Sequence, residues 1–142
     1  MIRRLTDEHI PEVAEIEALC FSEPWSQKSL GMLTEKNAVG FVAICDGRVA
    51  AYGGMICVLD EGQITNIATH PDYRRRGCGE QVVKALAQYG RENGLAEIYL
   101  EVRKSNVAAR SLYSKLGFES LGERKGFYRN PTEDAVVMKI TL

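Results

Sequence analysis

Short runs of alternating or continuous apolar residues recur at positions 2–5, 40–45, 48–59, 63–69, 96–102, 118–124 and 135–141, and each reads as a strand. Between them the apolar spacing becomes that of a helix. Ile10, Val13, Ile16 or Glu17, and Cys20 share one helical face, Thr6 or Asp7 can cap its start, and Pro11 is tolerable in a first turn. Pro24 restricts Glu23 to extended conformations, and Ser26 can cap a second helix running to about residue 36. Val82, Val83, Leu86 and Tyr89 or Gly90 form the stripe of a third helix over 81–93, which Gly94 ends. A fourth opens at Ser105 or Asn106 and runs through Leu116 to a stop at Gly117. Asp46-Gly47 is a two-residue hairpin signal, and Gly53-Gly54 suggests a bulge or a close backbone approach. Residues 126–134, with Asn130-Pro131, read as the loop between the last two strands. The strand, helix, strand order across 63–102 predicts a right-handed crossover and a parallel pair. The fold class expected is α/β of the α+β kind: a mixed, mostly antiparallel seven-stranded sheet with helices on both faces.

Composition narrows this picture more than it adds to it. A length of 142 residues, 45% apolar and 26% charged, suits a single domain over 1–142 with one sizeable core. A net charge of −1 leaves no global footprint for nucleic acid or an anionic membrane. No window approaches the roughly 20 apolar residues of a membrane helix, and no signal-peptide core follows Arg3-Arg4, so a cytoplasmic protein is expected. Cys20, Cys45, Cys57 and Cys78 lack metal-ligand spacing, and neither His9 nor His70 lies near a cysteine pair; reduced thiols and no metal are expected.

Candidate chemistry centres on Arg74-Arg75-Arg76-Gly77-Cys78-Gly79-Glu80. A basic, glycine-bearing turn between a strand and a helix N-terminus is an anion site. Glycine admits close approach, and the free N–H groups and dipole of the first helical turn favour negative charge. A diphosphate is the natural guest. Glu101 stands among Ile98, Leu100 and Val102, where a carboxylate is costly unless it meets a polar cleft or a partner such as Arg103 or Lys104. Tyr113 falls on the apolar stripe of the fourth helix with Ala109, Leu112 and Leu116, which suits a core aromatic as well as a proton donor. Asn106 suits a helix cap. Trp25, the only tryptophan, suits either packing between helices or the wall of a pocket. Glu8, Glu12 and Glu15 form an acidic face that is either solvated or a rim for a basic substrate.

The pattern Arg74-Arg75-Arg76-Gly77-Cys78-Gly79 resembles the R/Q-x-x-G-x-G/A signature of the GCN5-related N-acetyltransferases (GNAT), and the order of elements resembles theirs over essentially the whole chain. Phe21 with Pro24-Trp25-Ser26, Asn66-Ile67-Ala68, Leu100-Glu101-Val102-Arg103 with Ser105-Asn106, and Glu133-Asp134-Ala135 resemble the bacterial RimI group of that family. This resemblance implies the GNAT fold, acetyl-CoA as donor, and the N-terminal amine of a protein as acceptor, an alanine of a small-subunit ribosomal protein. It implies Glu101 as base and Tyr113 as acid. Asn106, Ile67, Ala68 and Thr69 are implied along the pantetheine arm, with a strand bulge freeing an N–H, and Arg74, Arg75, Arg76, Gly77, Cys78, Gly79 and Glu80 around the diphosphate. Trp25 and Asp134 are expected beside the acceptor. Cys78 departs from the aliphatic residue usual between the two glycines. A lysine side chain, a small-molecule amine, or a catalytically idle CoA-binding module remain alternatives.

Overall fold

The computed structural model describes residues 1–142. Seven strands form one sheet: β1 (Ile2–Arg4), β2 (Ala38–Cys45), β3 (Arg48–Val58), β4 (Glu61–Thr69), β5 (Glu97–Arg103), β6 (Glu119–Tyr128) and β7 (Glu133–Thr141), in the spatial order β1-β2-β3-β4-β5-β7-β6. All neighbours are antiparallel except β4 and β5. Four α-helices complete the chain: α1 (Ile10–Cys20), α2 (Gln27–Gly31), α3 (Cys78–Glu92) and α4 (Val107–Lys115).

Local chemistry accounts for most of these boundaries. Asp46 and Gly47 both adopt positive φ, 53° and 74°, as a tight two-residue hairpin requires. Ser26 caps α2 by accepting from the Ser29 N–H. That helix is shorter than expected. It ends at Gly31 and tightens into a 3-10 turn over Met32–Thr34, where the Thr34 hydroxyl bonds back to the Gly31 carbonyl at 2.8 Å. The final loop is also shorter than expected. β6 continues to Tyr128 through an irregularity between Arg124 and Tyr128, with Gly126 at φ 59°, so the glycine marks a bulge inside the strand and not its end.

Each sheet face carries its own core. On one side α3 and α4 cover a cluster that includes Val39, Met55, Leu86, Ile98, Leu100 and Met138. On the other, α1, α2 and the 3-10 turn after it pack Ile10, Val13, Ile16, Leu30 and Leu33 against Val42 and Tyr52. β3, buried on both faces, is therefore nearly continuous in apolar residues. Gly53 and Gly54 admit both layers. A Cβ at Gly53 would lie 2.6 Å from Val82, and one at Gly54 would lie 2.5 Å from Leu33. A register shift between β3 and β4 also occurs here, opposite Thr65.

Candidate functional site

The parallel pairing of β4 and β5 lasts only from Glu61 to Gln63 against Glu97 to Tyr99. Beyond it the two strands part: β4 stays with β3, and β5 with β7. A cleft of about 610 Å³ opens between them, lined by residues 63–67 and 100–103 and closed at one end by the turn after α1 and by Phe127, Tyr128 and Arg129. Backbone groups on the facing edges have no ladder partner. His70 N donates to Ala50 O at 2.8 Å. The alternation of antiparallel pairing then turns the N–H of Ala68 toward β3 and those of Ile67 and Thr69 into the gap. Ala68 itself is buried. The bulge lies at Thr65, ahead of the 67–69 stretch where one was expected.

Strand alternation places Leu100 and Val102 in the core and turns Glu101 to the cleft. The Glu101 side chain is 18% exposed and faces Arg124 Nη1 at 3.8 Å, with Gln63 Nε2 at a long 3.5 Å. Its partner is thus neither Arg103 nor Lys104. Arg103 donates to Glu133 Oε1 at 3.2 Å, Pro131 O at 3.0 Å and Arg129 O at 2.9 Å, and Lys104 pairs with Glu123 at 3.2 Å. Tyr113, on α4, is 7% exposed and packs its ring 5.8 Å from Phe118. It lines the cleft, and burial, with a smaller contribution from Tyr128, pushes its phenol up to about 12. Tyr128 is likewise pushed up to about 12, by burial first and then by the charge of Glu101. Tyr128 lies within residues 126–134, a stretch whose sequence reads as loop and does not by itself single out this side chain.

The basic turn leads directly into the start of α3. Arg75 and Gly77 have φ of 66° and 76°, and the helix begins at Cys78 with Gly77 as its N-cap. The first-turn N–H groups are left without helical partners there. Arg74 Nη2 lies 3.9 Å from Cys20 Sγ, and Arg76 lies 3.8 Å from Cys45 Sγ with its guanidinium 5.2 Å over the Tyr73 ring. Gly79 faces Thr69, whose Oγ1 a Cβ would meet at 3.2 Å. Glu80 bridges Lys115 at 2.7 Å and Lys84 at 3.3 Å, and these cations hold its carboxyl below the usual range. Cys78 is buried in the larger core, and burial pushes its thiol up. Asn106 caps α4 through Ala109 N at 3.1 Å and also lines the cleft.

At the opposite end Trp25 lines the cleft while packing against the smaller core. Glu23 accepts from Asn130 Nδ2 at 2.9 Å, joining the turn after α1 to the β6–β7 loop. Asp134 is placed differently. Its oxygens take Gly126 N at 2.9 Å and Lys125 Nζ at 3.4 Å, and it shapes the β6 bulge without lining the cleft. The Gly126 N–H is the main reason its carboxyl titrates low. Of the acidic face expected on the first helix, Glu8 falls in the 3-10 turn before α1, Glu12 accepts from Val49 N at 2.9 Å, and none of Glu8, Glu12 and Glu15 lines the cleft. Glu17 does line it, although it sits on the apolar stripe of α1 and is 1% exposed. A charged residue on an apolar face was the signal that could have singled it out.

Residues 10–118 match the model of the acetyltransferase (GNAT) family. A Bacillus subtilis (strain 168) relative is 38% identical over 143 residues, covering 99% of this chain and 95% of its own length. The protein of Escherichia coli (strain K12) named [ribosomal protein bS18]-alanine N-acetyltransferase is 34% identical over 145 residues, covering 99% of this chain and 97% of its own. The crystal structure of the ribosomal-protein-S18-alanine N-acetyltransferase from Escherichia coli superimposes with a TM-score of 0.92 at 34% identity, covering 99% of this chain and 92% of that one.

Proposed function

The chain belongs to the GNAT acetyltransferase family, and from that premise we propose that it moves the acetyl group of acetyl-CoA onto the N-terminal alanine of ribosomal protein bS18. The observation that supports this most directly is likeness over almost the full length to enzymes named for that reaction, including the strands that bound the cleft. One domain over 1–142 carries the reaction, and an acceptor of this kind places it in the cytoplasm.

The chemistry assigned to each residue follows from its place. The diphosphate of acetyl-CoA lies against the first turn of α3 and the basic turn before it, where N–H groups and arginines meet its charge. The pantetheine arm runs along the unpaired edge of β4, with Asn106 beside it. A free N–H there, such as that of Ile67, polarises the thioester carbonyl. An α-ammonium has a reference pKa of about 7.7–8.0, so a carboxylate such as Glu101, directly or through water, needs to shift little of the proton equilibrium near neutrality. The neutral amine attacks the carbonyl carbon, the C–N bond forms and the C–S bond breaks. The ammonium's first proton leaves to water by way of Glu101 before attack. The second, lost from nitrogen as the amide forms, goes to Glu101, and Tyr113 gives its own proton to the departing thiolate and regains one from water. Tyr113 is protonated near neutrality, as this step needs.

The test is mass spectrometry of peptides after incubation with acetyl-CoA. A peptide with the bS18 N-terminal sequence gains one acetyl group on its α-amine. The same peptide with a blocked N-terminus and internal lysines gains none. Acetylation of the lysine in the blocked peptide at a comparable rate would reassign the acceptor, and acetyl-CoA binding without transfer to any peptide would make the protein a binding module.

A further inference from the structure

Glu17 is engaged at the acceptor end of the cleft in a way that the transfer chemistry does not require. It continues the apolar stripe of Ile10, Val13 and Ile16 on α1 and is 1% exposed. Its carboxylate accepts from three donors on three different segments. These are the backbone N–H of Trp25 at 2.8 Å, the hydroxyl of Tyr52 on β3, and Nδ2 of Asn66 on β4 at 3.2 and 3.4 Å from the two oxygens. Asn66 is itself 6% exposed, and its Oδ1 is buried without a partner. The amide thus turns its nitrogen to Glu17 and leaves its oxygen unbonded. Three donors converging on one group match an ionised carboxylate, which accepts at both oxygens and donates at neither.

Stability alone is a weak reason for such a group, because an apolar residue of similar volume often stabilises a core equally well. A leucine could not, however, hold a backbone N–H. The bond to Trp25 N fixes the turn between α1 and α2, which carries Phe21, Ser22, Glu23 and Trp25 along one wall of the cleft. The bond to Asn66 fixes that turn relative to β4, the strand whose free edge faces Glu101 and Tyr113 across the cleft.

We propose that Glu17 is a positioning residue for the acceptor, tethering the Trp25 turn to β4 so that the wall receiving the incoming N-terminus is already in place. The inference rests on the acetyltransferase reading above. It assigns Glu17 to acceptor affinity, leaving donor binding and proton transfer to the residues already described.

Two variants separate the tether from the charge. Glu17→Gln keeps a carbonyl for Trp25 N–H, and its NH2 can donate to the Tyr52 oxygen and to Asn66 once that amide turns over. Glu17→Leu combined with Tyr52→Phe removes the tether and the hydroxyl it would strand. The expected KM for the bS18 peptide is within about threefold of the parent for Glu17→Gln and raised about tenfold or more for the double variant, with kcat and the acetyl-CoA Kd little changed in both. Trp25 is the sole tryptophan, so its emission and acrylamide quenching report the turn directly. They should change in the double variant and stay near the parent in Glu17→Gln.

A folded double variant with altered Trp25 emission but unchanged peptide KM would overturn the proposal, leaving Glu17 purely structural. An equal KM rise in Glu17→Gln, or an equal loss of acetyl-CoA binding, would overturn it too. If the double variant does not fold, titration of the unaltered protein decides: saturating peptide should shift Trp25 emission, and no shift counts against the proposal. Absence of transfer by the unaltered protein to any N-terminal peptide would instead overturn the acetyltransferase reading itself.

Discussion

At Tyr113, burial holds the phenol up to about 12, so the residue stays protonated throughout the range in which an α-amine loses its proton. The sign of the pH dependence follows. The form an acid catalyst needs lies below its pKa, and raising that pKa extends the working range upward. The kcat/KM for peptide should therefore rise as the acceptor amine deprotonates near pH 8 and show no alkaline fall before about pH 10. Glu101→Gln and Tyr113→Phe should each lower kcat by about 10²–10⁴-fold with acetyl-CoA affinity retained. Steady-state kinetics with calorimetry checks this, and near-parental turnover would remove the altered residue from its role. Glu101 stood out in the sequence because a carboxylate among Ile98, Leu100 and Val102 needs an explanation. Its partner did not, because Arg124 comes from β6, with β7 between that strand and β5. Arg103 was the nearer choice along the chain but is committed to Glu133 and two loop carbonyls.

The β6–β7 hairpin is the element that sequence reading resolved least. Gly126, Asn130 and Pro131 suggested one long loop, whereas the chain carries a bulged strand and only residues 129–132 as connection. Turn residues mark a change of backbone direction, and a bulge uses the same residues as a loop. The Asp46-Gly47 hairpin was plain by contrast, because two adjacent positive φ angles admit few residue pairs. What fixes the last hairpin is non-local. The Arg103 guanidinium bonds to the carbonyls of Arg129 and Pro131 and lies 4.5 Å over the Tyr128 ring. Replacing it with alanine should free this loop from β5. The expected outcome of Arg103→Ala is a peptide KM raised about tenfold with acetyl-CoA binding within about twofold of the parent, measured by kinetics and calorimetry. Equal loss of both affinities would show that Arg103 supports the whole cleft.

For the whole molecule, strand number, crossover and helix placement followed from apolar periodicity, because both sheet faces are covered and the pattern had to match both layers. The extent of the parallel pairing did not follow. Periodicity records which faces are buried, not how far two strands keep company, and β4 and β5 do so for three residues. That short pairing has a thermodynamic consequence. Without donor, the protein is a sheet with an unfinished hydrogen-bond ladder, its loose edges shielded inside a cleft and thus kept from pairing with other chains. An extended ligand with amides of its own, as proposed for acetyl-CoA, would serve as the missing strand and would contribute part of the protein's cohesion. By mass action, acetyl-CoA at about a hundred times its Kd should add about 2.7 kcal/mol to unfolding stability. Thermal unfolding followed against acetyl-CoA concentration should show the midpoint climbing with the logarithm of ligand. Backbone amides at Ile67 and Thr69 should gain the most hydrogen-exchange protection. A midpoint indifferent to acetyl-CoA would mean that the donor does not complete the sheet.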